Sequence, residues 1–162
     1  GTNAEAVRGA AEIVADIDID FDLICCACGT GGTLAGIVSA CGHGQHAVGV
    51  SALKGGDFLY QDIARLLGVT EAGFRRKATL LLNDHFGGYA RIKPELIDFM
   101  RSVYQQNGLK LDPIYTAKAL FGLTQGLEQR QWPDARSVVF VHTGGLQGVA
   151  GIEQRHGLVL YD

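Results

Sequence analysis

The stretch DLICCACGTGGTLAG, residues 22–36, contains an apolar run that ends in a cluster of glycines. The run Leu23–Cys28 is unbroken, which is typical of a strand buried on both faces in a parallel sheet. The cluster Gly29–Thr33 breaks the strand, and a short helix is expected to follow as far as Cys41. The order of strand, glycine-rich loop and helix predicts an α/β fold.

The same unit recurs along the chain, because further apolar runs alternate with segments of helical periodicity. Three more strands are expected, at residues 47–53, 78–82 and 137–141. Helices are expected at residues 3–16, before Gly68, from Pro94 to Gly108, from Asp112-Pro113 to about Arg130, and after Gly145. Thr2 and Glu5 have the spacing of a capping box. We therefore expect a single α/β domain over residues 1–162, with a mainly parallel sheet of about four strands flanked by helices in three layers.

The composition supports a buried core and excludes several classes of partner. Apolar residues make up 47% of the 162 residues and charged residues 19%, whereas disordered chains have low hydrophobicity and high charge. The net charge of −3, without a basic stripe, argues against a nucleic-acid partner, and no apolar stretch reaches the ~18 residues of a membrane span. Four cysteines are few for a disulfide framework, so a reduced, cytoplasmic protein is expected.

Glycine pairs follow all four expected strands, at the edge of the sheet where α/β proteins bind ligands. The loops are Gly29–Thr33, Lys54–Asp57, Asn83–Tyr89 and His142–Gly145. Glycine lets backbone N–H groups approach a ligand without a side chain in the way. The convergence of these loops predicts a binding site at this edge.

The first loop has the features of a phosphate site, because it lies between a buried strand and the start of a helix. A Walker A motif would need a lysine, which the loop lacks, and a dinucleotide fingerprint would need glycine where the chain has Leu34. A small ligand with one phosphate therefore fits better than NAD. The alternative is a glycine-rich connection that binds nothing.

The other candidates each have a structural alternative. Tyr89, Tyr115 and Thr116 follow a glycine pair or begin a helix, where tyrosine is more often a packing residue than a catalyst. His142 taken alone is more typical of a hydrogen-bonded structural histidine. Cys25 and Cys28 lie three apart in a strand and point to opposite faces, so no metal site is expected there.

Five motifs together resemble one family. They are GTNAxAVRG (1–9), CGTGGTLAG (28–36), FGGY (86–89), LDPIYTAK (111–118) and HTGGLQG (142–148). In this order and spacing they resemble the 1-aminocyclopropane-1-carboxylate deaminase/D-cysteine desulfhydrase family, which consists of pyridoxal-phosphate enzymes of the tryptophan-synthase-β fold type.

The resemblance implies roles for individual residues. The cofactor 5′-phosphate would bind at Gly29, Thr30, Gly31, Gly32 and Thr33. Thr116 would be the partner of the pyridine nitrogen, Tyr89 and Tyr115 would handle the substrate, and His142, Thr143 and Gly144 would form a loop beside the cofactor.

Thr116 helps to distinguish two possible reactions, because the family's deaminases carry glutamate at this position and its desulfhydrase-like members carry a hydroxyl residue. A neutral hydroxyl favours protonation of the ring nitrogen less than a carboxylate does. We therefore expect α,β-elimination on a small amino acid such as D-cysteine, ahead of ring-opening deamination of 1-aminocyclopropane-1-carboxylate to 2-oxobutyrate and ammonia. A non-catalytic phosphate-binding α/β module is the further alternative.

Pyridoxal-phosphate chemistry needs a lysine for the Schiff base, and the family's lysine lies in an upstream region with no counterpart here. Lys54 is a weak substitute at a strand end, and Lys118 belongs to a motif whose lysine does not form the imine. We therefore expect the chain to be the C-terminal part of a longer enzyme, with a missing N-terminal segment. The resemblance also implies a homodimer.

Overall fold

The computed structural model describes residues 2–161 and contains one parallel sheet. The sheet has four strands in the order β3-β2-β1-β4. They are β1 (Leu23–Cys28), β2 (His46–Ser51), β3 (Ala78–Leu81) and β4 (Val138–Phe140). Cys25 on the central strand β1 lies opposite Val48 on β2 and Phe140 on β4. The predicted parallel sheet is confirmed. Gly1, which begins the first motif, and Asp162 lie outside the described residues.

Alternation of side chains along β1 produces the three layers. Ile24, Cys26 and Cys28 pack into the core on one face, whereas Leu23 and Cys25 pack into the core on the other. Both faces of β1 are therefore covered, as its unbroken apolar sequence predicts. Cys25 and Cys28 point to opposite faces. Burial raises the pKa of the Cys25 thiol, and a hydrogen bond with Cys26 followed by burial raises that of Cys28.

Helices cover both faces of the sheet. The elements are α1 (Ala4–Ala15), α2 (Gly32–Ala40), α3 (Phe58–Leu67), α4 (Glu71–Lys77), α5 (Pro94–Asn107), α6 (Thr116–Glu128) and α7 (Gln147–His156). Side chains of α2, α3 and α4 share the core with Cys26 and Cys28. Ala119 and Leu123 of α6 pack on the opposite face with Val48. None of the helices within residues 2–161 has both the length and the apolar character needed to cross a bilayer.

Several predicted helix ends are confirmed and others are wrong. Gly68 and Gly108 end α3 and α5 in the left-handed conformation, and Pro94 is in the first turn of α5. The helix expected from Asp112-Pro113 begins later, at Thr116, because residues 113–115 form turns first. The short helix α4 was not predicted, since it buries only Phe74 and has too few turns for a periodic pattern.

The capping box at the start of α1 is also wrong. Asn3, not Thr2, is the N-cap, and its side chain accepts a hydrogen bond from the Ala6 N–H at 2.8 Å. The predicted second strand begins one residue too late and ends two residues too late, because Leu53 N–H donates to the Ser51 hydroxyl at 3.2 Å and turns the chain out of the sheet.

Candidate active site

The start of α2 leaves backbone donors free at the carboxyl end of β1. Gly31 is the N-cap, with φ +84° and no side-chain cap. The Ala35 N–H bonds to the Gly31 carbonyl oxygen at 2.9 Å. The N–H groups of Gly32, Thr33 and Leu34 precede this bond and so have no acceptor within the helix. Because the first turn of α2 holds no acidic residue, the partial positive charge of the helix end is available to an anion.

A cavity of about 340 Å³ opens on these donors. Its lining residues are Ala6, Ala27, Gly29, Thr30, Gly31, Gly32, Thr33, Tyr115 and Thr143. The structure thus brings together all five predicted phosphate-loop residues with one of the two tyrosines and with Thr143. Its volume is in the range of about 300–1,000 Å³ that is usual for small-ligand sites. None of these lining residues is charged, so an anion here would be held by amides, hydroxyls and the helix dipole.

Helix α1 contributes to this cavity, which the sequence reasoning missed. Ala6 lines it, and the Thr2 hydroxyl donates to the Thr30 hydroxyl at 2.6 Å. The Thr30 hydroxyl keeps its own proton for a ligand. The sequence contained one signal of this contact, which is the glycine Gly36 inside the apolar helix α2. An added Cβ on Gly36 would come within 2.4 Å of the Val7 carbonyl oxygen of α1. A glycine inside an apolar helix can mark the close approach of another backbone.

The two predicted tyrosines form a pair beside the cavity. The rings of Tyr89 and Tyr115 meet edge to face, with 6.0 Å between their centroids and 63° between their planes. Tyr115 packs against the phosphate loop, since an added Cβ on Gly29 would lie 3.3 Å from its Cε1 atom. Burial, and after it the neighbouring Tyr89, raises the pKa of Tyr115 above the ordinary 10.0. Like an ordinary tyrosine, Tyr115 is a neutral phenol at physiological pH, and it can donate a hydrogen bond to a substrate. Tyr89 is 57% exposed and so accessible from solvent.

Thr116 is fully buried and bonded to Asp112. Its hydroxyl donates to the Asp112 Oδ2 atom at 2.8 Å and accepts from the Asp112 N–H at 2.8 Å. The Asp112 carboxylate also accepts from the backbone N–H groups of Ile114, Tyr115 and Thr116, each at 2.9 Å. Asp112 thus caps the turn of residues 113–115 that precedes α6, and it fixes the backbone of Tyr115. For Thr116 to donate to a ring nitrogen, its proton would have to leave the Asp112 carboxylate.

The loop His142–Gly145 lies next to this turn. An added Cβ on Gly145 would lie 3.0 Å from the Asp112 Cγ atom. Gly144 N–H donates to the His142 Nδ1 atom at 3.1 Å, so in the neutral ring the proton is on Nε2, which is 2.8 Å from the Lys110 carbonyl oxygen. Both ring nitrogens of His142 are used within the protein, which gives it a structural role in the loop that places Thr143 in the cavity wall.

The residues present fit the phosphate of pyridoxal phosphate. The uncapped helix end, the Thr30 and Thr33 hydroxyls and the aromatic wall of Tyr115 are the donor set and surface that such a ligand needs. No lysine is among the lining residues, and Lys54 is exposed. Within residues 2–161 no group of three or more His, Cys, Asp or Glu side chains could hold a metal ion.

Comparison with known proteins identifies relatives in the deaminase and desulfhydrase family that the five sequence motifs resemble. A bifunctional D-cysteine desulfhydrase/1-aminocyclopropane-1-carboxylate deaminase of Arabidopsis thaliana is 34% identical over 138 residues, which cover 82% of this chain and 34% of that protein. A putative 1-aminocyclopropane-1-carboxylate deaminase of Pyrococcus horikoshii is 34% identical over 152 residues, which cover 88% of this chain and 45% of that protein. The chain thus spans between about a third and a half of the length of these relatives.

Solved structures and a family model agree with the sequence relatives. The crystal structure of an ACC deaminase homologue superposes with a TM-score of 0.68 at 32% identity, over 89% of this chain and 46% of that one. Threonine deaminase isoform 2 of Solanum lycopersicum, at 15% identity and a TM-score of 0.51, shares the fold. The model of the pyridoxal-phosphate dependent enzymes matches residues 2–144. The chain therefore belongs to the family of pyridoxal-phosphate dependent enzymes, with a tryptophan-synthase-β-like fold and pyridoxal phosphate as the family's cofactor, and the resemblance to its deaminase and desulfhydrase members is confirmed.

Proposed function

We propose that this chain is the phosphate-binding part of a pyridoxal-phosphate-dependent lyase that acts by α,β-elimination on a small amino acid such as D-cysteine. With one water, D-cysteine would yield pyruvate, hydrogen sulfide and ammonia. The observation that carries the proposal is a single cavity in which the uncapped N-terminus of α2 and the phenol ring of Tyr115 meet. A module that only binds phosphate would need the N-terminus of α2 and would have no use for the phenol ring of Tyr115.

Each residue has a definite task in this proposal. The amides at the start of α2 and the hydroxyls of Thr30 and Thr33 bind the phosphate, and Thr143 closes the cavity wall. Pyridoxal phosphate, when bound, supplies the electron sink that lets the substrate lose its α-proton. Tyr115, a neutral phenol at physiological pH, donates a hydrogen bond to the substrate carboxylate. Tyr89, which packs on Tyr115 and reaches solvent, orients the substrate or passes a proton.

Two observations bear on the substrate. The resemblance implies that Thr116 is the partner of the ring nitrogen, where a neutral hydroxyl residue would favour elimination of a good leaving group such as thiolate. The Arabidopsis relative is named for both D-cysteine desulfhydration and 1-aminocyclopropane-1-carboxylate deamination. The deaminase activity, releasing 2-oxobutyrate and ammonia, is therefore the second candidate, and parallel assays with both substrates separate the two.

The proposal includes a segment beyond this chain that supplies the Schiff-base lysine. Its support is the length of the relatives, of which the chain covers 34% and 45%, and the absence of lysine from the residues that line the cavity. We also propose a homodimer, which light scattering of the complete protein would test. Four free cysteines fit a reducing compartment such as the cytoplasm.

Incubation with pyridoxal phosphate followed by borohydride reduction tests the proposal. In the complete protein we expect a new visible absorbance that reduction abolishes, with the cofactor then found on one lysine outside residues 1–162. Binding to the complete protein that phosphate competes away, without a labelled lysine, would instead support the non-catalytic module and contradict the lyase.

Tyr89→Phe is expected to lower turnover of D-cysteine by about a hundredfold, the size of a lost acid–base or orienting contribution. The ring and its packing on Tyr115 are kept, so only the hydroxyl is removed. Release of pyruvate and sulfide by the complete protein is the measurement. Tyr60→Phe is the matched control, because that hydroxyl lies 3.5 Å from the Leu80 carbonyl oxygen, away from the cavity, and its removal should leave turnover unchanged. Equal turnover in Tyr89→Phe and the wild type would remove Tyr89 from the mechanism.

A further inference from the structure

Lys118 is a fully buried lysine that the proposed chemistry does not use. It lies on α6 with 0% exposure, and its Nζ atom donates to the Gly88 carbonyl oxygen at 2.8 Å. Lysine is almost never fully buried unless it is paired, because the ammonium group loses its hydration. Burial lowers the pKa of Lys118 to about 8, against the opposing effect of Asp112. The amine has protons to donate in either charge state, so the bond to Gly88 does not depend on its titration.

The carbonyl that Lys118 contacts belongs to the turn that carries Tyr89. Four residues of this turn have positive φ, namely Phe86 at 53°, Gly87 at 102°, Gly88 at 119° and Ala90 at 53°. Left-handed conformations are unfavourable for residues with a side chain, so this turn needs outside contacts to hold it. One such contact is made by Phe86, which packs edge to face on Phe121 with centroids 4.9 Å apart. Another is the bond from Lys118 to the Gly88 carbonyl oxygen, which also accepts from the Arg91 N–H at 3.1 Å.

These contacts form a closed circuit. Gly88 directly precedes Tyr89, whose ring meets that of Tyr115, and Tyr115 precedes Lys118 by three residues at the start of α6. The bond from Lys118 back to Gly88 completes the circuit. Phe86 and Phe121 lie outside it, and Asp112 fixes the backbone at Tyr115. Lys118 thus supplies a direct hydrogen bond between the turn that carries Tyr89 and the helix that begins after Tyr115.

We propose that Lys118 is a positioning residue, whose buried amine holds the Gly87–Tyr89 turn against α6 so that Tyr89 and Tyr115 act as one pair beside the phosphate cavity. The effect of Lys118 on turnover rests on the proposed function, whereas its effect on the contact between the rings of Tyr89 and Tyr115 does not. Of the residues in the circuit only Tyr115 lines the cavity, and the amides at the start of α2 belong to a different element, so loss of Lys118 should disorder the tyrosine pair and leave phosphate binding nearly unchanged.

Lys118→Met tests this directly, because methionine fills much of the same space and cannot donate. In the complete protein we expect loss of the nuclear Overhauser contact between the rings of Tyr89 and Tyr115, and hydrogen exchange at the turn faster by about fivefold to tenfold. Binding of inorganic phosphate should stay within about twofold of wild type, because the amides that would bind it belong to the start of α2. Lys93→Met, at an exposed lysine, is the control and should change none of these. A retained ring contact with unchanged exchange in a folded Lys118→Met would overturn the proposal.

Lys118→Gln keeps a polar group with a shorter reach, and it serves if the methionine variant does not fold. The same loss of the ring contact is expected, and its persistence would contradict the proposal. Kinetics supply a second test through a double-mutant cycle. If Lys118 acts by positioning Tyr89, Lys118→Met should lower turnover of D-cysteine by a smaller factor in the Tyr89→Phe protein than in the wild type. Additive losses would show that Lys118 acts by another route. Failure of all turnover would count against the proposed function and leave the ring contact to decide the role of Lys118.

Discussion

Replacing Gly31 with alanine is expected to weaken binding of inorganic phosphate and pyridoxal phosphate by at least about tenfold, because the loop must move to admit the new side chain. Gly31 has φ +84°, and an added Cβ would lie 2.6 Å from the Ile63 Cγ1 atom and 2.9 Å from its Cδ1 atom. The left-handed conformation costs an alanine about 1–2 kcal/mol, and overpacking a core costs about 1–3 kcal/mol more. The amides at the start of α2 would then no longer converge on one anion.

Titration calorimetry and urea unfolding of the Gly31→Ala protein measure these two effects. Gly44→Ala is the matched control, since Gly44 has φ +82° and nothing lies within 4 Å of an added Cβ. It should show the cost of the backbone conformation alone and bind phosphate as the wild type does. If Gly31→Ala binds phosphate as tightly as Gly44→Ala, the loop is not the phosphate site.

Replacing Gly36 with alanine is expected to lower the free energy of unfolding by about 3 kcal/mol, the upper end for overpacking. An added Cβ would lie 2.4 Å from the Val7 carbonyl oxygen and 2.5 Å from the Ala10 Cβ atom, so α1 would have to move away from α2. Helix α1 also brings Ala6 to the cavity wall and Thr2 to Thr30, so phosphate binding should weaken as well. Urea unfolding measures the first effect and calorimetry the second.

Gly9→Ala is the control for this variant. Gly9 lies within α1, and nothing is within 4 Å of its added Cβ, so alanine there should stabilise the helix by about 0.5–1 kcal/mol. Equal stability of the Gly36→Ala and Gly9→Ala proteins would contradict the close packing of α1 on α2.

The parts of the fold that could be predicted from the sequence are those with local signals. The apolar run Leu23–Cys28, the glycine ends of α3 and α5 and the proline of α5 all depend on residues near in sequence. Helix α4 was not predicted, because a helix of seven residues with one buried side chain shows no helical period in its hydrophobicity. The start of α6 was placed too early, because Asp112 bonds to N–H groups of a turn that precedes the helix.

The candidate site also has residues that could be predicted from the sequence and residues that could not. The rule that ligands bind at the carboxyl ends of parallel strands was enough to place the phosphate loop and Thr143 at one cavity. The resemblance added Tyr115, which the structure also places there. The approach of Thr2 and Ala6 and the burial of Lys118 depend on packing between segments far apart in sequence, as in the Thr2–Thr30 and Lys118–Gly88 bonds. No local pattern encodes such contacts.

Nuclear magnetic resonance titration of the backbone amides tests the central claim most directly. Pyridoxal phosphate and inorganic phosphate should both shift the N–H signals of residues 30–34, whereas pyridoxal without its phosphate should leave them nearly unchanged. Signals of these five residues that stay in place while pyridoxal phosphate binds elsewhere would contradict the account.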